Sequence, residues 1–128
     1  MIAIGWATVE LERAAVEHAG GLRPGSAFRA APDSVLLGAR CLVGDLPADR
    51  EGRWLVLLEP STEGRLSETL ARHGEGWVAT WEAGDPPAPT TDRWSVERPG
   101  PFGPERLRRG DPPGGPHHLV VATATIEP

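Results

Sequence analysis

The chain has 128 residues and a formal charge of −5, and all 13 of its basic residues are arginine. That length suits one domain rather than two, and such a domain buries roughly two-thirds of the surface its unfolded chain exposes, so it needs no staple. The acidic balance argues against nucleic-acid and anionic-membrane partners, and the lone Cys41 excludes an intrachain disulfide.

No run is long enough for a membrane-spanning helix, and no basic segment leads into an apolar stretch at the start, which points to the cytoplasm. The 16 Gly and 14 Pro suit short strands joined by many turns. Apolar runs at 35–43, 54–58 and 119–124 are too dense for a disordered chain. Lys, Asn, Gln and Tyr are absent, a pattern read as coding bias rather than as an arginine code for phosphate. Cys41 lies in an apolar run, where a buried, inert thiol is expected.

In chain order, residues 3–9 alternate around small and β-branched side chains and predict a strand. Residues 10–19 carry Leu11, Ala14, Ala15 and His18 at helical spacing, and Gly20-Gly21 supplies the stop. Residues 26–31 and 34–43 read as strands parted by the turn dipeptide Pro32-Asp33. A polar connection at 45–52 leads to a strand at 53–59, which Pro60 ends. Ser61 or Thr62 is placed to cap a helix over 63–72, where Leu66 and Leu70 share a face, and Gly74 suits the position past its end. Residues 76–82 predict a strand and 84–92 a solvated connector. A short strand at 93–97, turns at 99–104, a brief strand at 105–108 and turns at 111–116 follow. Residues 117–127 predict the longest strand.

The order is β-α-β-β-β, a helix, then four strands with no second crossover helix. Two echoes support this halving. Ala7-Thr8-Val9-Glu10 is matched by Ala79-Thr80-Trp81-Glu82, and Leu57-Leu58-Glu59-Pro60 by Thr125-Ile126-Glu127-Pro128.

The stretch Trp54-Leu55-Val56-Leu57-Leu58-Glu59-Pro60, a short helix, and then Arg72-His73-Gly74-Glu75-Gly76 resembles a known junction. It is similar to the fourth strand, linker helix and fifth-strand entry of the vicinal oxygen chelate superfamily, the glyoxalase/bleomycin-resistance type. Residues 4–15, a strand running into a helix start, resemble the family's opening. The likeness covers about the first two-thirds of the chain, with the closing strand as further support. It implies an α+β fold of paired βαβββ modules in one domain, 1–128. Module one is about 1–60, the linker helix 61–74 and module two about 75–128, with a degenerate second helix.

In metal-dependent members a divalent ion is held by His or Gln on the first strand of each module and Glu on the last. The likeness places Glu59 and Glu127 at the Glu positions. The His positions fall near 3–7 and 77–79, whereas the four histidines are His18, His73, His117 and His118. Two carboxylates without imidazole make at most a weak, hard-cation site, so no metal and no cofactor are expected. His117 and His118 lie about 30 Å before Glu127 along an extended strand and cannot share its ion.

If Glu59 and Glu127 face the family's cavity, strand parity adds Leu55, Leu57, Val121, Thr123 and Thr125 to its wall. Trp77, Ala79 and Trp81 take the face of the replaced histidine. Two indoles one pleat repeat apart suit a planar aromatic or cationic ligand. The likeness therefore implies a metal-independent small-molecule binder whose site is Glu59, Trp77, Trp81, Thr123, Thr125 and Glu127. A homodimer that sequesters an antibiotic or other natural product, as in self-resistance, is its specific form. The alternative is an enzyme on this scaffold, a cyclase, isomerase or lyase using Glu59 or Glu127 as acid–base group or metal ligand. A third reading is a partner protein whose cavity has filled with side chains.

Plainer roles compete for the same residues. Glu59 and Glu127 can be strand-end carboxylates in water, Trp6 and Trp54 core residues, and His117-His118 a solvated strand start. His73 suits the helix C-terminus, where the dipole favours a cation. No phosphate loop, nucleophile elbow or CxxC is present, and the pattern identifies no catalytic residue.

Overall fold

Both faces of the central strand are apolar, so the sheet must be covered on both sides. That strand is β4 (Trp54–Pro60), buried from Trp54 to Leu58. A computed structural model describes residues 1–50, 52–84, 93–111 and 116–122. Before β4 come β1 (Ala3–Ala7), α1 (Leu11–His18), β2 (Arg29–Ser34) and β3 (Ala39–Asp45). After it come α2 (Arg65–His73), β5 (Gly76–Ala83), β6 (Glu105–Leu107) and β7 (His117–Val121). The strands form one sheet in the order β2-β3-β4-β1-β5-β7-β6, curled into a half-barrel. β1 runs parallel to β4, and β5 runs parallel to β7. Antiparallel pairing of β1 with β5 joins the two halves within the chain.

Three local expectations are corrected. The first hairpin turns at Val35–Gly38 rather than at Pro32-Asp33. Gly38 takes φ +68, which only glycine adopts freely, and its N–H bonds to the Ser34 carbonyl at 2.9 Å. Pro32 lies instead inside β2, where the register with β3 shifts between Ala31 and Ser34. β2 is an edge strand, so its missing N–H costs no ladder bond. Gly64, not Ser61 or Thr62, precedes α2, and the Ser67 hydroxyl accepts its N–H at 3.0 Å. Trp94 and Arg98 make only isolated bridges, to Arg108 and Glu105, in place of a strand at 93–97. Gly74 closes α2 as expected, donating to the Leu70 carbonyl at 2.8 Å. The closing strand is described as far as Val121, with residues 123–128 beyond the described part.

The sheet separates two apolar clusters. The outer one sets Leu11 and Ala14 of α1 against Leu55 and Leu57 of β4. The inner one draws on strands of both halves, including Ala3, Ala7, Cys41, Val56, Leu58, Trp81, Leu107 and Leu119, with Leu66 of α2. Burial pushes the Cys41 thiol far up, as an inert core cysteine requires.

Two motif glutamates hold the start of α1. Glu10 precedes the helix but gives no side-chain cap. Glu59, reaching over from β4, accepts the Leu11 N–H at 3.0 Å and pairs with Arg40 across the β3–β4 ladder. Glu75, at the entry to β5, accepts the Val9 N–H at 3.0 Å and pairs with Arg13. Carboxylates at a helix N-terminus satisfy free amides and the dipole together. Glu59→Ala should therefore lower stability by about 1–2 kcal/mol. Urea denaturation measures the loss, and amide exchange in α1 should quicken with it; an unchanged midpoint would remove the capping role.

Candidate functional site

The inner face is filled by aromatic side chains. Trp81 is wholly buried there, and a Cβ at Gly5 would stand 2.9 Å from its ring, so β1 needs glycine beneath it. Phe102 comes from the loop between Arg98 and Glu105. That loop is pinned at its base, because Arg98 and Glu105 exchange backbone bonds of 2.9 and 2.7 Å. The Phe102 ring lies 5.1 Å from that of Trp54, tilted by 30°, and meets Trp81 edge-on at 5.8 Å.

Beneath this loop lies one buried carboxyl. Glu105 Oε1 accepts the Trp81 indole N–H at 2.9 Å, and Oε2 accepts the Ser34 hydroxyl at 2.7 Å. Ser34 ends β2 and Glu105 opens β6, so this bond links the two edge strands of the sheet. A Cβ at Gly100 would stand 2.1 Å from Glu105 Oε1, so the loop can pass over the carboxyl only as glycine. Burial pushes Glu105 up to about 7, against the pull of the bonds from Trp81 and Ser34.

A second polar group shares the face. His117 is fully buried opposite Ala79, correcting the solvated strand start expected for it. Its Nε2 lies 3.2 Å from Thr69 Oγ1, whose own hydrogen goes to the Arg65 carbonyl at 2.8 Å. An Nε2–H donor to that oxygen fits this geometry, and buried Nδ1 has no partner among the described residues. Burial lowers the His117 pKa, keeping the ring neutral. His118 is tied at Nδ1 to Asp111 at 3.2 Å.

The expected site residues do not converge. Glu59 points to the outer side, against α1 and Arg40. Trp77 pairs with Trp6 while Ala79 pairs with Gly5, leaving Val78 as an unpaired bulge. The bulge reverses the alternation, so Trp77 stands on the outer face, 56% exposed, and Trp81 on the inner face. Trp77 meets Trp6 edge-on at 4.8 Å. Thr123, Thr125 and Glu127 lie outside the described residues. Trp54 is a core residue as expected, and Trp6 is half-buried.

Among the described residues, β1, β4 and β5 supply none of a chelate site's donors to this face. Ala3, Gly5 and Ala7 of β1, Ala79 and Trp81 of β5, and Val56 and Leu58 of β4 offer no ligand atom toward it. Among the described residues no group of three His, Cys, Asp or Glu is placed to hold an ion. These described residues do not fit the divalent metal of metal-dependent vicinal oxygen chelate proteins.

Glu105 and His117 were missed from sequence. One usable signal existed: a buried Trp81 needs an acceptor for its N–H, and Glu105 shares a short alternating strand with Leu107.

The raised Glu105 pKa fixes a pH dependence. The folded state holds this proton more tightly than the unfolded chain does. Its contribution is thus full below about pH 4.5 and is lost as pH rises through about 7. Between those values wild type should lose on the order of 3 kcal/mol relative to Glu105→Gln. Urea denaturation of both proteins across the range tests this; a constant difference would mean that the carboxyl titrates as in water.

No family model and no curated protein matches the chain. Solved structures do. Methylmalonyl-CoA epimerase from Streptomyces coelicolor, in complex with 2-nitronate-propionyl-CoA, matches 100% of this chain and 96% of its own at 19% identity, with a TM-score of 0.68. The methylmalonyl-CoA epimerase of Mycobacterium tuberculosis matches 94% of this chain and 85% of its own at 16% identity and a TM-score of 0.72. A hypothetical protein from Bacillus halodurans matches 95% and 92% at 13% identity and a TM-score of 0.66. Identities this low speak for architecture alone: the chain has the α+β fold of the vicinal oxygen chelate, or glyoxalase/bleomycin-resistance, type.

Proposed function

We propose that this chain is an enzyme on the vicinal oxygen chelate scaffold that moves a proton on a small carbonyl compound, with Glu105 as its acid–base group. One observation carries the reading. The inner face holds one buried carboxyl, aimed by Trp81 and Ser34, that burial pushes up toward the range where general acid–base catalysis is efficient. The scaffold supports it: structures of this fold include methylmalonyl-CoA epimerases, one solved with methylmalonyl-CoA and ammonium. This reading gives the acid–base role, expected of Glu59 or Glu127, to Glu105.

The chemistry is a simple proton cycle. The Glu105 carboxylate removes a proton from the carbon beside the carbonyl, and the C–H electron pair passes into the carbonyl as an enolate. The same proton, or one exchanged with solvent, returns to that carbon. Trp81 N–H and Ser34 O–H keep the carboxylate aimed. Substrate reaches it only when the loop carrying Phe102 lifts, which bares Trp54 and Trp81 as an apolar wall.

Incubation with methylmalonyl-CoA in D2O with EDTA, followed by NMR, tests this. Wild type should exchange the α-proton, and Glu105→Gln should slow exchange by at least about 100-fold. Phe102→Ala should retain exchange. Equal rates for wild type and Glu105→Gln, or no exchange above the solvent background, would leave the filled-cavity reading in its place.

One observation favours the sequestration reading. Trp77 is exposed beside Trp6 and borders an outer hollow of about 360 Å³ with Ile4, Leu46 and Arg50. A planar ligand stacked there would quench fluorescence in a manner that Trp77→Ala abolishes and Glu105→Gln leaves intact.

A further inference from the structure

The arginines are unevenly matched with acids. Arg13, Arg40, Arg72 and Arg108 each pair with a carboxylate. Arg23 and Arg29 share Asp45. Arg50, Arg53, Arg65, Arg98, Arg106 and Arg109 have no carboxylate partner among the described residues, and of these Arg50 and Arg53 line one hollow of a chain that carries −5. Coding bias accounts for arginine in place of lysine. It does not account for two unpaired guanidiniums beside one hollow.

That hollow, about 360 Å³, opens at the ends of β1, β3 and β4, and Arg23, Asp45, Arg50, Arg53 and Trp54 help to line it. Arg53 is positioned by stacking, its guanidinium carbon 4.4 Å from the centre of the Trp54 ring. Its backbone N–H is fixed to the Ile2 carbonyl at 2.7 Å. Arg23 is oriented by Asp45 at 3.3 Å. Among the described residues Asp45 is the one carboxylate in the lining, and it is already shared with Arg29 and Ser26. Met1 also lines the hollow, and its amino group pairs with Glu82 at 3.0 Å. Asp49 lines the adjoining hollow with Arg50.

We infer that this hollow binds a phosphate-bearing anion, most fittingly a diphosphate, held by Arg50 and Arg53 with Arg23 in support. Guanidinium forks match phosphate oxygens two at a time, and two unpaired forks call for more oxygens than one carboxylate offers. Positive potential gathered in a hollow of an acidic protein draws such an anion out of solution. The Trp54 ring forms the wall between this hollow and Phe102. The inference stands apart from the role given to Glu105 and survives its failure.

Calorimetric titration with inorganic pyrophosphate, at ionic strength fixed with sodium chloride, tests the site. Wild type should bind saturably, with Kd below about 1 mM. Arg50→Ala and Arg53→Ala should each weaken binding about tenfold or more, and Arg53→Lys should fall between. Arg50 lies on an exposed loop, so its variant keeps the test sound even if Arg53→Ala loosens Trp54. Arg72→Ala, remote on α2, should bind as wild type does. Absence of saturable binding, unchanged affinity in Arg50→Ala, or equal weakening in Arg72→Ala would overturn the site.

Discussion

The hydrogen-bonded carboxyl of Glu105 ties together parts of the sheet that are otherwise far apart. Glu105 starts one edge strand, Ser34 ends the other, and Trp81 stands between them on β5. A polar group without partners in such a place would cost several kcal/mol, so the two donors are a condition of the fold as much as of any chemistry. Packing follows from this latch. Phe102 can fill the space between Trp54 and Trp81 only because its loop is anchored at Glu105 and passes over the carboxyl at Gly100.

The same latch puts stability and chemistry in competition. A neutral acid between two donors suits a buried site, whereas an ionised one is the useful base. On the proposed reading Glu105, raised by burial, sits between these demands, and a substrate would have to replace the apolar contacts of Phe102. Functional sites commonly carry such locally unfavourable arrangements, supported by the structure around them.

Much of the first half was legible because its signals are local. The helix after β1, the strand ending in Leu58-Glu59-Pro60 and the glycine closing α2 all fall where spacing and end signals put them. Glu59 does share a face with Leu55 and Leu57, as alternation requires. Which face encloses the cavity was not legible, because β4 is apolar on both sides and alternation marks neither. The Val78 bulge was invisible for a different reason. It is a property of the β1–β5 pairing, and it sends Trp77 and Trp81 to opposite faces despite their even spacing. Glu105 and His117 escaped because turn-rich sequence surrounds both, and burial there is a long-range effect.

Both outermost strands are also blunted as templates for a neighbouring molecule. Proline interrupts the free rim of β2, while Ser95 and Arg98 occupy the amides and carbonyls along β6. A proline on one rim and paired amides on the other both disfavour strand addition by another copy. Contact between copies along these rims would therefore rest on side chains more than on added strands.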